Sequence, residues 1–311
     1  MKILVTGGAG FIASQIVDLY IGSGHEVTIV DNLISGFKAN LNAKARFVQA
    51  DISNPQLKEV FENESFDLIN HHASQIDVRK SLENPFYDMQ VNIAGSLNIL
   101  ELMNRYKVPK IIYASSGGAI HGDPDALPLT EASRIQPICH YGVSKYAVEN
   151  YLHLYAHLYN IQFTVLRYPN VYGPRQNPFG EGGVNAIFIG KMLKGEIPHI
   201  YGDGKQLRDF IFVQDVAQAN LLALDQIDNS IYNVATNDGR SVNDIYQVLQ
   251  GITGITSKPI YEEARLGEIQ KTYMSADKIK EAWGWEATVN LEEGLQKTLD
   301  WFKEEGMERF F

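Results

Sequence analysis

The sequence predicts an α/β protein in which a doubly wound parallel sheet is joined to a smaller C-terminal lobe. Three observations lead there. Short β-branched runs alternate with stretches of helical length and periodicity over the first 168 residues, a glycine cluster separates the first strand from the first helix, and the chain becomes rich in Gly and Pro after Tyr168. Strands separated by long helices pair in parallel, with helices covering both faces of the sheet. At roughly 150 residues per domain, 311 residues make two units.

In chain order, residues 2–6 read as a strand, and Ile12, Ile16, Leu19 and Tyr20 recur at helical spacing until Gly22-Ser23-Gly24 ends the pattern. Residues 27–30, 46–50, 68–70, 110–114 and 162–168 are the further strands. Residues 86–106 and 141–159 are the long helices between them. These elements place a first domain over 1–168. The passage from Pro169 through Gly173-Pro174-Arg175 opens a second lobe over 169–311, with helices at 184–194, 242–252 and 291–304. Residues 209–235 read as strand, helix, strand and are expected to return to the first sheet.

Composition narrows the function classes. The 27 Lys+Arg stand against 37 Asp+Glu, a net charge of −10, which opposes a sequence-blind nucleic-acid binder. No apolar run approaches the roughly 18 residues of a membrane helix, and the glycines after Val5 break a signal-peptide core. Cys139 is the one cysteine, which fits a reducing, cytoplasmic setting. His153 and His157 have zinc-like i, i+4 spacing but no third ligand between them, so no metal is expected.

The glycine turn carries the first chemistry. In Thr6-Gly7-Gly8-Ala9-Gly10-Phe11-Ile12-Ala13, Gly7 and Gly10 let the backbone approach a pyrophosphate, whose charge meets the N–H groups opening the helix. This is the Rossmann-type fingerprint, with Ala13 at its third position. Asp31 ends the second strand 21 residues after Gly10, where a carboxylate accepts from the adenosine ribose and repels a 2′-phosphate, favouring NAD over NADP. Asp51-Ile52, after the third strand, borders the adenine or simply forms a turn.

Tyr141 and Lys145, at i and i+4, share a helix face. A neighbouring ammonium favours phenolate, so the expectation is a tyrosine pKa lowered toward neutrality and a phenol able to take a proton from a substrate hydroxyl.

With the glycine turn, the segments Asp31-Asn32-Leu33 with Ser35-Gly36, Asp51-Ile52, His72-Ala73, Asn92, Ser115-Ser116, Tyr141/Lys145 and 166–175 make the chain resemble the extended short-chain dehydrogenase/reductases. Within them it is similar to the NAD-dependent nucleotide-sugar epimerases, above all the UDP-glucose 4-epimerase branch, from residue 1 to about 303. The resemblance implies 4-epimerisation of a UDP-sugar, a homodimer built on the helices containing Leu97 and Leu154, and NAD as cofactor. It makes Tyr141 the base and Lys145 its partner and a ribose ligand. Asn32, Ser35, Gly36, the His72-Ala73-Ser74 turn, Asn92, Ser115 and Tyr168 would line the cofactor. Ser116 and Asn170 would face the sugar diphosphate, Arg208 and Arg265 would clamp it, and Asn185, His199 and Tyr201 would hold the uracil.

Three positions depart from the family pattern. Gly117 stands where a Ser or Thr is usual, leaving Ser116 to supply that hydroxyl if the loop turns it inward; His121 replaces a Tyr, and Pro169 a larger residue. Gly118 and Ala119 occupy the positions of the Asp-Glu pair of related dehydratases, which argues against elimination. A dehydratase or decarboxylase, and an NAD-binding sensor without catalysis, are the competing readings. Glucose/galactose, N-acetylated and uronic-acid sugars are all compatible with the motifs.

Overall fold

The computed structural model describes residues 1–179, 183–264 and 269–310, the side chain of Arg309 excepted. Its strands are β1 Lys2–Thr6, β2 Glu26–Asp31, β3 Arg46–Gln49, β4 Leu68–His71, β5 Lys110–Ser116, β6 Gln162–Tyr168, β7 Asn170–Tyr172, β8 His199–Tyr201, β9 Leu207–Phe212, β10 Ser230–Asn233, β11 Gly239–Ser241, β12 Ile260–Glu262 and β13 Lys271–Thr272.

The chain divides into two compact units. The first comprises 1–122, 135–168 and 217–232 and is built on a seven-stranded sheet of order β10-β6-β5-β4-β1-β2-β3. β1 pairs in parallel with both β2 and β4, so the strand order reverses there, and the carboxyl ends of the strands flanking that point are where an α/β sheet binds ligands. Leu4, Val30, Ile69, Ile111 and Val165 of the strands are buried against Ile99, Leu100, Met103 and Leu152. At about 1.5–3 kcal/mol for each fully buried aliphatic side chain, this layer is the main source of the unit's stability.

The helix Phe11–Gly22 buries Ala13, Ile16, Val17 and Tyr20. The stretch expected as one helix over 86–106 is instead Pro85–Met89, a π-helical turn Gln90–Ala94, and Gly95–Tyr106. The wider turn rotates Asn92 inward, where its amide is fully engaged, and a side chain that gains several hydrogen bonds offsets the poorer backbone geometry. The helix His140–Tyr159 starts at the Cys139 cap and ends at Asn160, whose φ of 57° only Asn, Asp or Gly adopts at low cost.

The second unit comprises 123–134, 169–216 and 233–311. β9 is its hub, pairing in parallel with β7 and β13 and antiparallel with β11, while β8 and β12 form a separate parallel pair. Of residues 209–235, β9 therefore lies in this unit and 217–232 in the first, with β10 beside β6. Asn229 explains the docking of β10: its N–H donates to the Phe163 carbonyl at 2.9 Å and its side chain accepts from the Phe163 N–H at 2.9 Å. Pro169 lacks the N–H that would extend β6, so the strand ends and the chain re-forms as β7.

Candidate active site

The glycine turn packs tightly enough to explain its composition. Gly7 has φ of +73°, and a Cβ there would stand 2.7 Å from the Ala73 nitrogen and 2.9 Å from its Cα. The turn thus touches the segment after β4 with bare backbone. The helix starting at Phe11 has no side-chain cap and no acidic residue in its first turn. Its first N–H groups, those of Phe11 and Ile12 included, have no intrahelical acceptor, and the positive end of the helix dipole is left for an anion. A dinucleotide pyrophosphate fits this cradle.

Asp31 is buried, and its carboxylate accepts from the N–H of Ala9 at 3.0 Å and of Leu33 at 2.8 Å. Burial pushes its pKa up, while the two N–H donors pull it back. A Cβ on Gly36 would lie 2.9 Å from Asp31 Oδ1, so the glycine keeps the carboxylate's surroundings open. Asn40 Nδ2 donates to the Ala9 carbonyl at 3.0 Å and ties the 32–40 loop to the turn; Ser35 is exposed on that loop. Asn32 Nδ2 donates to Asp51 at 2.7 Å. Burial opposes the charge on Asp51, but the Ser53 and Asn32 hydrogen bonds outweigh it and hold the carboxyl below its usual range. Ile52 is buried against Gly95.

Asn92 and Ser115 are placed differently from the roles first expected of them. The Asn92 amide clamps both backbone groups of Gln75, accepting from its N–H at 2.8 Å and donating to its carbonyl at 2.9 Å, and it also donates to Asp88 and Ser144. It holds the 72–75 turn rather than presenting its amide to a ligand. The Ser115 hydroxyl donates to Glu149 at 2.6 Å, and Glu149 receives two bonds from Arg167 in a fully buried pair. Strand alternation then turns the next side chain, Ser116, to the opposite face of the sheet.

The Ser116 hydroxyl hydrogen-bonds the Tyr141 phenol. It also accepts from the Ala119 N–H at 3.3 Å, a contact that the side-chain-free Gly117-Gly118 turn permits. Lys145, one helical turn from Tyr141, is buried, donates to the Ala114 carbonyl at 2.9 Å, and has Nζ 5.8 Å from the centre of the Tyr141 ring. Burial lowers Lys145 to about 8, with Asp88 and Glu149 opposing that fall. The expected lowering of Tyr141 is corrected: burial pushes the phenol up, and the Ser116 hydrogen bond counters this only in part. Desolvation of the phenolate is the largest cause, and the nearby Cys139 and Asp88 add to the rise.

In the second unit a cavity is lined by Asn170, Tyr172, Asn185, Gln206, Arg208 and Phe210, among others. Asn185 is buried and its Oδ1 has no hydrogen-bond partner. Asn170, Asn185 and Arg208 of the expected ligand set thus converge. His199 and Tyr201 do not line this cavity: they lie on β8, where His199 pairs with Glu262 at 2.8 Å and Tyr201 is exposed. Arg265 lies outside the described residues. Sequence reasoning missed Gln206, which lines the cavity and donates to the Tyr201 carbonyl at 3.0 Å. The signal was present in the period of two through Gln206, Arg208 and Phe210, which puts all three on one face of an extended segment. Asp209, on the other face, accepts from Thr236 and Met274, and burial pushes it up to about 7.

Among the described residues no three His, Cys, Asp or Glu side chains converge to hold a metal, and no helix is long and apolar enough to cross a membrane.

Residues 3–235 match the model of the NAD dependent epimerase/dehydratase family. A UDP-glucose 4-epimerase of Mycolicibacterium smegmatis is 36% identical over 309 residues, covering 97% of this chain and 99% of its own. A UDP-glucose 4-epimerase of Thermotoga maritima, solved with UDP-glucose, superposes with a TM-score of 0.96 at 44% identity, over 98% of this chain and 99% of that one. The UDP-glucose 4-epimerase of Thermus thermophilus, solved with NAD, gives 0.92 at 37% identity, over 97% and 99%.

Proposed function

The chain belongs to the NAD-dependent epimerase/dehydratase family, and from that premise we propose that it interconverts UDP-glucose and UDP-galactose by inverting C4 of the sugar. When bound, NAD supplies a reversible hydride acceptor for that carbon. Tyr141 acts as the phenolate, which takes the proton of the 4-hydroxyl as C4 is oxidised to the ketone and gives it back after the 4-keto sugar has presented its other face. Net redox is zero. The Ser116 hydroxyl orients the phenol oxygen, and Lys145, fixed on the Ala114 carbonyl, supplies positive charge one turn away.

Asn170 and Arg208 hold the diphosphate, Arg208 through charge and the amide through a directed hydrogen bond, and Asn185, lining the same cavity, holds the uracil. Tyr201 offers a ring to the uracil. The glycine turn and Asp31 hold the dinucleotide, and Asp31 disfavours a 2′-phosphate. The chain acts as a homodimer, for which the exposed Leu154 and Leu158 on the helix His140–Tyr159 supply apolar surface.

The single observation that carries this reading is the Ser116–Tyr141 hydrogen bond with Lys145 one turn along the same helix. The decisive experiment incubates the protein with a panel of UDP-sugars and follows C4 inversion by proton NMR. Conversion of UDP-glucose to UDP-galactose is expected, and inertness toward every member of the panel overturns the proposal. Sedimentation of the purified protein as a monomer overturns the dimer.

A further inference from the structure

Two adjacent histidines follow one another at the end of β4, and their hydrogen bonds fix opposite tautomers. The Ser96 hydroxyl donates to the Asn92 carbonyl at 2.6 Å, so at 2.9 Å from His71 Nε2 it can only accept. His71 therefore carries its proton on Nε2, and its Nδ1 accepts from the Thr6 hydroxyl at 2.6 Å. Both ring nitrogens are satisfied.

His72 is the reverse. Its Nε2 lies 3.2 Å from the Tyr168 hydroxyl, and the two rings stack with centres 5.8 Å apart. Asn220 Nδ2 donates to that hydroxyl at 2.8 Å, while Asn220 Oδ1 accepts from Asn70 Nδ2 at 3.0 Å. The same Asn70 nitrogen donates to Tyr20, which passes its own proton to the Asn220 carbonyl. Tyr20, Asn70 and Asn220 thus hold one another, with Asn220 Nδ2 directed at the Tyr168 hydroxyl. The Tyr168 proton is left for His72 Nε2. A neutral imidazole accepting there bears its proton on Nδ1, and His72 Nδ1 is buried with no partner. Burial, and to a lesser extent the charge of Lys145, keep the ring neutral by pushing its pKa down to about 3.

A hydrogen-bond network that ends in an unused buried donor calls for an acceptor from outside the chain. We propose that His72 is a cofactor-binding donor, held as the Nδ1–H tautomer by Tyr168, whose acceptor is an oxygen of the bound dinucleotide outside its AMP half. Topology separates the two halves. Asp31 ends β2 on one side of β1, whereas His72 follows β4 on the other, hydrogen-bonded to the end of β6 and within reach of the charge of Lys145. This rests on the reading of the first unit as an NAD site and adds to it a donor whose tautomer is set by the hydrogen bond on its other ring nitrogen.

The test measures binding rather than turnover. Apo-protein is titrated with NADH, ADP-ribose and AMP for the unmutated chain, His72→Gln and His72→Asn. Gln places its amide near Nε2 and keeps a partner for Tyr168 while losing the Nδ1 donor; Asn places an N–H near Nδ1. Expected are a roughly three- to tenfold weaker affinity of His72→Gln for NADH, the loss of one neutral hydrogen bond, an unchanged affinity for AMP, and recovery in His72→Asn. Wild-type NADH affinity in His72→Gln, or an equal loss for AMP, overturns the inference. In the unmutated protein, nitrogen-15 NMR should find the proton of His72 on Nδ1 and shift that resonance when NAD is added; a proton on Nε2, or a resonance indifferent to NAD, also overturns it. If the unmutated chain binds no NADH at all, the reading of the first unit fails instead.

Discussion

Asp31, Asp51, Asn92 and Ser115 of the first unit commit polar atoms to the protein itself, through bonds to Ala9, Asn32, Gln75 and Glu149. In the cavity of the second unit, Asn185 is buried but keeps an oxygen without a partner. His72 Nδ1 apart, the first arrangement fixes geometry before any ligand arrives, which suits a bound cofactor and a proton transfer that tolerates little displacement. The second leaves hydrogen-bonding capacity to be satisfied by a ligand that comes and goes, at some cost to the empty protein. On the proposed function, substitutions in the two units should separate chemistry from binding.

The largest effect is expected at Tyr141. Tyr141→Phe keeps the ring and removes the proton acceptor, so kcat should fall by roughly 10²–10⁴ while UDP binding is held. Steady-state kinetics with calorimetric UDP titration check this, and near-normal turnover would move the base elsewhere.

Arg208→Ala should act the other way. Losing a charged hydrogen bond of about 1.5–3 kcal/mol predicts UDP affinity weaker by roughly 10- to 100-fold with NAD(H) still retained. Release of NAD(H) by this variant would break the division between the units.

Acid should affect the units with opposite sign. His71 and His72 are both pushed down to about 3 by burial, so below pH 6.5 the unfolded chain takes up protons that the folded one refuses. Their contribution is present above pH 6.5 and is lost as pH falls toward 3, by up to about 2 kcal/mol each at pH 5. Asp209 is pushed up to about 7, so its contribution is present at low pH and is lost as pH rises from about 4 through 7. Amide hydrogen exchange at pH 5 and pH 7, after correction for intrinsic rates, should show β4 less protected and β9 more protected at the lower pH. A parallel change in both strands would contradict the assignment.

The smallest effect is expected at Ser116. Its hydroxyl assists Tyr141 through one hydrogen bond of about 0.5–1.5 kcal/mol, so Ser116→Ala should slow turnover by roughly 2- to 10-fold. A loss equal to that of Tyr141→Phe, with the double variant no worse than either, would make the serine a full member of the proton relay.

The strands of the first unit and its glycine turn were legible because their causes are local. Periodicity marks each strand and helix, and Gly7 must be glycine where a positive φ meets the Ala73 backbone. Tyr141 and Lys145 were legible for the same reason, since four residues on a helix make one face. The second unit was harder to read. β9 finds its partners at 170–172, 239–241 and 271–272, and strands of two or three residues leave almost no pattern.

By itself the sequence determined which residue types are present for the proposed chemistry: a phenol beside an ammonium, a carboxylate at the end of β2, an arginine on β9, and the inward option for Ser116 in place of a hydroxyl at 117. Tertiary structure alone decided their electrostatic state. That Tyr141 is raised rather than lowered, that Lys145 falls to about 8, and that His71 and His72 hold opposite tautomers follows from burial and from partners as distant as Asn220. Desolvation sums over everything packed around a group, and a hydrogen-bond chain assigns each proton only when all its members are in place; neither quantity belongs to any local stretch of the chain.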